Sequence, residues 1–407
     1  MRRLLALALV ACGHPAPATI ALEPAPAASA PAPVHAKARR CAPDVAAPVA
    51  LPIPPALEAL AAQYFHANAH DDGFNDLIHG TSRYAWYDPS DLDVRVDPPG
   101  DIAMIRRSTP SFFFGWAGAG ASARIARRAD RQVRPAPWTR VYDLDAMEDA
   151  AGVGWFLGSD LGATTSQGVH LLRVDRALAT HDEIVATLNG DDPWDRRVAE
   201  TETGRVVVAW VARSPTGLDV VAAWRGPAGF SAPRVVDHVT VPAAAAELSL
   251  RSTTNLRLAA DGADRVALAW RPLVPAKGEV VDPGSASSPP TRAVTAEVRI
   301  VVFSPSGLAA PPRVHAATAQ PLGFTTGVGP WPLTGNGMAS ATLAGTALFF
   351  WNDDASGRVL LATPDDATAR AIETGRYRIL PRPSARGLEV LLLHSVGPQA
   401  MVRVTCR

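Results

Sequence analysis

The chain has 407 residues, 47% of them hydrophobic and 19% charged, with 39 basic side chains against 39 acidic ones. A chain this apolar is not disordered as a whole, and a net charge of zero leaves no basic surplus for nucleic acid or for an anionic membrane surface. No apolar run approaches the ~20 residues that span a bilayer.

The N-terminus opens with Arg2 and Arg3, followed by the apolar stretch Leu4–Val10 and then Ala11 before Cys12. A short basic start, an apolar stretch and a small residue are the parts of an export signal. Leu9–Cys12 resembles the lipobox of bacterial lipoproteins. That resemblance implies that residues 1–11 are a signal peptide cut before Cys12, and that Cys12 carries lipid. The protein is then exported and held to membrane lipid. Gly13 follows where the family's inner-membrane retention signal has Asp, so the outer membrane is implied. The leader is shorter than is usual in that family.

Residues 12–54 are dominated by Ala and Pro, as in Glu23–Ala27. Such a stretch buries no core and favours extended polyproline II. It reads as a tether, which at about 3.1 Å per residue reaches about 90 Å between Cys12 and Cys41. With Cys12 lipidated, Cys41 and Cys406 remain, and two cysteines in an exported chain read as a disulfide. This one joins both ends of the domain, worth on the order of 5 kcal/mol in the chain-entropy picture.

Residues 55–79 form a helical lead-in. Pro55 suits a first helical position, and Leu57, Leu60, Ala61 and Tyr64 share one face of a helix over 55–69. From residue 80 to 407 the period changes to two, broken by Gly, Pro, Asp and Ser, and reads as strands.

The strands repeat. One element ends in an aromatic: Gly204–Trp210, Asp264–Trp270 and Gly345–Trp351, with looser copies at Ser111–Trp116 and Gly152–Trp155. A second follows it: Val220–Trp224 through Gly229 and Pro233 to Val235, and Val298–Phe303 through Gly307 and Pro312 to Val314. Units of this size in an all-strand chain predict a propeller or an array of sheets, because one small sheet cannot bury both faces alone. The organisation resembles bacterial β-propellers with sialidase-like blades. The resemblance implies an all-β, six-bladed propeller, and tandem β-sandwiches are the alternative. Strands at Tyr377–Leu380, Leu388–His394 and Met401–Cys406 make a last blade, with Tyr84–Tyr87 as its fourth strand and Cys41–Cys406 pinning the closure. The aspartate box of sialidases is missing, and Trp194–Asp195 stands alone rather than in a repeat.

Candidate binding residues lie in the loop 316–340. Its glycines permit close backbone approach, Trp331 offers a stacking face, and Asn336 offers donors and acceptors. His66 and His70 have the spacing of two metal ligands on one helix face, followed by Asp71, Asp72 and His79, but a zinc-protease Glu is lacking. The pairs Asp91/Asp93, Asp191/Asp192 and Asp353/Asp354 match no calcium loop and read as turns. There is no nucleophile elbow and no phosphate loop. The sequence thus points to an envelope-anchored, non-enzymatic binding or scaffold module for an envelope protein or glycan, without cofactor or metal. The alternative is a sialidase-like, carbohydrate-active hydrolase. Tyr377–Pro381 resembles the Arg-Ile-Pro motif of sialidases only superficially, with Leu380 inserted and a place near the C-terminus rather than the start, and reads as coincidence. That alternative requires carboxylates and arginines converging at the central channel.

Overall fold

Residues 344–345 turn the chain back on itself in two positions, and turns as short recur down the sequence; they set the architecture. The structure, a computed structural model, describes residues 40–51, 86–87, 94–95, 104–116, 123–160, 168–187, 194–246, 256–275, 293–321, 338–353 and 356–407, short gaps within these ranges aside. Among them, six antiparallel sheets of four or five strands follow one another along the chain.

Sheet I comprises Met104–Ser108, Phe112–Trp116, Ala123–Arg127 and Val133–Pro135. Sheet II comprises Val141–Glu148, Gly154–Asp160, Gly168–Val174 and Thr180–Thr187. Sheet III comprises Trp194–Glu200, Val206–Ser214, Gly217–Gly226 and Arg234–Thr240. Sheet IV comprises Arg257–Ala260, Val266–Trp270, Val298–Ser304 and Arg313–His315. Sheet V comprises Met338–Leu343, Thr346–Asp353, Arg358–Ala362 and Arg370–Thr374. Sheet VI comprises Arg378–Ser384, Gly387–Leu393 and Gln399–Cys406, with Pro43–Val45 paired to the last of these. The first strand of each sheet touches the first strand of the next, from I through VI, and is called the inner strand below.

The strand-to-aromatic elements of the sequence are the second strands of sheets I to V. Those of sheets II to V are apolar without alternation because both faces are covered. In Val206–Ser214 of sheet III, Val207, Ala209 and Val211 pack toward sheet IV, while Val208 and Trp210 pack toward sheet II. In sheet IV, Val266, Leu268 and Trp270 face sheet III, and Ala267 and Ala269 face sheet V. In sheet V, Leu348 and Phe350 face sheet VI, and Phe349 and Trp351 face sheet IV. Sheet I packs on sheet II through Phe112, Phe114, Phe156 and Leu172. Each fully buried Val, Leu or Phe among them contributes about 1.5–3 kcal/mol relative to exposure. This is the face-to-face stacking of a β-propeller. It excludes the tandem-sandwich alternative, in which every sheet would keep one face in water.

The fourth strand of sheet VI corrects the sequence reading. Pro43–Val45 supplies it, in register Pro43↔Cys406 to Val45↔Val404. Trp86–Tyr87 pairs instead with Val94–Arg95 in a separate ribbon. Residues 40–51, read within the tether, therefore belong to the folded unit, and Val49–Leu51 also pairs with Gln399–Met401. The Cys41–Cys406 disulfide is present, with the Cα atoms 5.0 Å apart. The helix over 55–69 lies outside the described residues. Among those described, no helix is long and apolar enough to cross a membrane.

Candidate functional site

Antiparallel order gives every sheet two ends. At one, called the turn end, each inner strand finishes and short hairpins follow. At the other, the leading end, each inner strand begins. One hairpin recurs at the turn end. Asp149, Asp175 and Thr201 each donate their N–H to the carbonyl four residues on, and accept the N–H three residues on. The residue accepted there has positive φ: Gly152 at 75°, Gly204 at 80° and, in the middle turn, Leu178 at 63°. Leu178 carries the left-handed strain that glycine avoids, and its side chain is buried among Phe114, Trp138 and Leu172. Asp149 and Asp175 brace their loops by accepting two further backbone N–H groups each, and Asp149 also accepts from Trp155 Nε1. The aspartates here work as turn residues.

The leading end differs. Three consecutive inner strands carry one extra residue close to their start. In sheet I the register shifts between Ile105 and Arg107. In sheet II, Asp143 and Leu144 stand opposite the single Gly158. In sheet III, Asp195 and Arg196 stand opposite the single Trp210. Sheets IV, V and VI run in register here. Such bulges re-aim side chains and concentrate beside functional sites.

The sheet III bulge is the most constrained. Asp195 has φ 47°, a left-handed conformation that Asp tolerates better than most non-glycine residues. It is buried, pairs with Arg197, and accepts the Leu256 N–H of sheet IV at 2.6 Å. Arg196 beside it is 1% exposed. On the preceding inner strand, half-buried Asp145 accepts the Val198 N–H at 3.0 Å. On the following one, Arg257 donates to Met338 O at 2.8 Å and to Leu256 O at 2.7 Å. Ser340 donates to Leu258 O at 2.7 Å, and Asn352 exchanges two hydrogen bonds with the Tyr377 backbone. Asp145, Asp195, Arg197 and Arg257 thus stand on adjacent inner strands of sheets II to IV. The same contacts lace each sheet to the next.

A second polar seam lies farther out. Asp237 accepts from Trp270 Nε1 at 2.7 Å and from both arms of Arg299 at 2.7 and 2.9 Å. Burial alone would lower the Arg299 pKa, but the Asp237 and Glu297 carboxylates together outweigh it and the shift is upward. His315, 7% exposed, packs its ring 5.7 Å from Trp351, and burial lowers its pKa.

Cys12, His66, His70, Asp71, Asp72, His79, Asp91, Asp93, Asp191, Asp192, Trp331, Asn336 and Asp354 lie outside the described residues. Asp353 closes a turn by accepting from the Ser356 hydroxyl. Ile379 of the Tyr377–Pro381 segment is core. Among the described residues, no three His, Cys, Asp or Glu side chains group as a metal site would. Sequence reading passed over Asp145, Asp195, Arg197 and Arg257. The signal present was Asp195–Arg197, three charged residues set between Trp194 and the apolar run from Val198.

No family model matches the chain, and no curated protein does. Among solved structures, a GH43_1 enzyme from Xanthomonas citri aligns with TM-score 0.32 and 12% identity over 65% of this chain and 87% of that one. A gluconolactonase from Xanthomonas campestris aligns at 0.33 and 10% over 72% and 82%. The polysaccharide lyase Uly1 aligns at 0.30 and 10% over 77% and 91%. All of these similarities are low, so the functional reading rests on this chain's own residues.

Proposed function

We propose that the chain is an exported, carbohydrate-active β-propeller, anchored by lipid on Cys12, whose six sheets close into a ring of six blades. The ring reading is supported by five successive sheet-to-sheet packings and by a sixth sheet assembled from both chain ends. The observation that carries the carbohydrate reading is the placement of two carboxylates and two arginines, Asp145, Asp195, Arg197 and Arg257, on adjacent inner strands of sheets II to IV. Two carboxylates flanking one site are what glycosidic cleavage needs.

In this reading Asp145, half-buried and held by one N–H, donates a proton to the departing glycosidic oxygen. Asp195, fixed by Arg197 and the Leu256 N–H, stabilises the positive charge that develops at the anomeric carbon. Water then supplies hydroxide to that carbon and a proton back to Asp145.

The test is hydrolysis of a panel of aryl glycosides and oligosaccharides by the mature protein and by Asp145→Asn. The variant keeps an acceptor for Val198, so it is expected to fold as before and to lose about 10²–10⁴-fold in rate. Binding without cleavage would favour a second reading, a glycan-binding module. That reading draws on the backbone hydrogen bonds that already occupy both aspartates. Neither binding nor cleavage would sink both. Intact mass of the protein from its native membrane fraction tests the anchor: acyl mass on a chain beginning at Cys12 is expected, and an unlipidated soluble chain would overturn it.

A further inference from the structure

The outer half of sheet III brings a second set of reactive side chains together, on the strands Gly217–Gly226 and Arg234–Thr240. Their register sets Asp219 directly opposite His238, and Gly217 opposite Thr240. Side chains alternate along a strand, so His238 and Thr240 share one face with Asp219. Gly217 places no side chain beside Thr240. Thr216 stands in the short turn that leads from Ser214 into Gly217. The group thus belongs to the leading end of sheet III, on strands other than the inner ones that carry Asp145 and Asp195.

These side chains make a relay. Asp219 Oδ1 lies 2.6 Å from His238 Nδ1. Across the ring, Nε2 lies 3.1 Å from Thr240 Oγ1 and 3.4 Å from Thr216 Oγ1. A carboxylate oxygen on Nδ1 selects the tautomer with the ring proton there, and Nε2 is then an acceptor for a hydroxyl. Thr240 makes the shorter contact, and its β-branched side chain restricts χ1, which holds the hydroxyl on Nε2. The site is open to solvent: the His238 side chain is 38% and that of Asp219 22% exposed, and both threonines are exposed. The backbone adds a donor. Val241 gives its N–H to Thr216 O at 3.2 Å. Backbone direction alternates along an antiparallel pair, so the Thr240 N–H points away from the third strand, off the outer edge of the sheet. A hydroxyl, a base, a carboxylate that orients the base and an N–H next to the hydroxyl are the parts of acyl transfer through a covalent intermediate.

We propose that Thr240, His238 and Asp219 form an esterase centre that takes small acyl groups, such as acetyl, from carboxylic esters. This activity goes beyond the carbohydrate reading and does not depend on it. Thr240 Oγ1 attacks the ester carbonyl carbon and gives its proton to His238 Nε2. The carbonyl oxygen becomes an oxyanion that accepts from the Thr240 N–H. The ester C–O bond then breaks, and the departing alcohol takes the proton from Nε2. Water attacks the acyl-threonine next and gives a proton to Nε2. The bond to Oγ1 breaks, and that proton returns to Oγ1. One ester and one water become one carboxylic acid and one alcohol. Asp219 touches no reacting atom and is a positioning residue for the ring. The methyl group on the Thr240 Cβ crowds Oγ1, which is why a small acyl group is preferred.

The experiment uses the full mature protein and p-nitrophenyl acetate, read by release of p-nitrophenol and by peptide mass after an acid quench. The expected result is a burst followed by slower turnover, with an acetyl group on the peptide that contains Thr240. Thr240→Val keeps the shape and removes the hydroxyl. It is expected to lose burst, turnover and acetyl label while melting at the wild-type temperature. His238→Gln is expected to lose about 10²–10⁴-fold in rate. Asp219→Asn is expected to lower kcat and leave KM in place, a split that mere loosening of the strand would not produce. Thr216→Val is expected to keep most of the rate. If Thr216→Val abolished the label and Thr240→Val did not, the assignment of the nucleophile would be overturned. Turnover unchanged in Thr240→Val would show His238 acting as a bare surface imidazole and would sink the proposal. Acetyl release no faster than in buffer would sink it too, whatever the glycoside panel shows.

Discussion

The two ends of the sheets are built on opposite terms. At the turn end, hairpins of one type repeat, each braced by its own Asp or Thr, and the loops hold one another through Thr203, Glu202 and Arg40. At the leading end the register is broken in three consecutive inner strands, and Asp195 is held in a left-handed conformation. Strain of that kind persists only where the surroundings enforce it. Regularity at one end ties successive sheets together, which lets the other end depart from regularity. The lesson is a division of labour along a single strand: the inner strand of sheet III begins as a site at Asp195 and finishes as scaffold at Glu200.

Between the two ends, the Asp237 seam gives the largest expected effect. Asp237→Ala leaves the fully buried Trp270 Nε1–H without its acceptor and the half-buried Arg299 with Glu297 alone, and should cost about 3–5 kcal/mol, read from urea unfolding. A loss below about 1 kcal/mol would mean the seam is dispensable and the ends matter more than what joins them. Replacing Cys41 and Cys406 together by Ala should cost about 2–5 kcal/mol, and the wild type in reductant should fall to the same value. Were Asp145→Asn to cost as much stability as this double change, the contrast between a functional end and a structural end would collapse.

Acid and alkali should act on different ends. At the leading end, burial lowers the His315 pKa below its ordinary value, with Asp366 opposing and Arg313 adding to the shift. Stability from keeping it neutral is full above the unfolded value near 6.5 and is lost as pH falls through the folded one. His315→Phe keeps a ring against Trp351 and should flatten that acid loss, as seen in melting temperature against pH. At the turn end, burial raises the Glu200 pKa, with Asp149 adding to it and the Ala150 N–H opposing. Here the contribution is full at low pH and is lost as pH rises through the folded value. Glu200→Gln should therefore raise the melting temperature slightly at neutral pH and change it least in acid. Matching slopes in the two variants would break the comparison.

Much of the scaffold was legible in the sequence, and the reason is physical. A strand covered on both faces must be apolar throughout, so Val206–Val211 and Val266–Trp270 stand out without any structure. The Gly-to-Pro connections after Val220–Trp224 and Val298–Phe303 mark the outer strands equally well. Pro43–Val45 was missed because three residues inside an Ala/Pro stretch carry no period. Its partner strand defines it, not its own composition. The site was missed for a related reason. A bulge is a relation between two strands, and nothing in Asp195–Arg197 alone says that the residues opposite fall one short.

The disulfide has a mechanical side. Without it, a pull on the N-terminus would be carried by Pro43–Val45, three residues paired to a single neighbour, which can unzip one rung at a time. Cys41 stands just ahead of that strand and hands the load straight to Cys406, at the end of an eight-residue strand. That strand pairs along Leu388–Leu392 as well. After the ion pairs of Arg40, the next link of the folded unit is therefore a covalent bond, and a tug on the chain ahead of Cys41 is borne by a whole sheet before any hydrogen bond of Pro43–Val45 is tested.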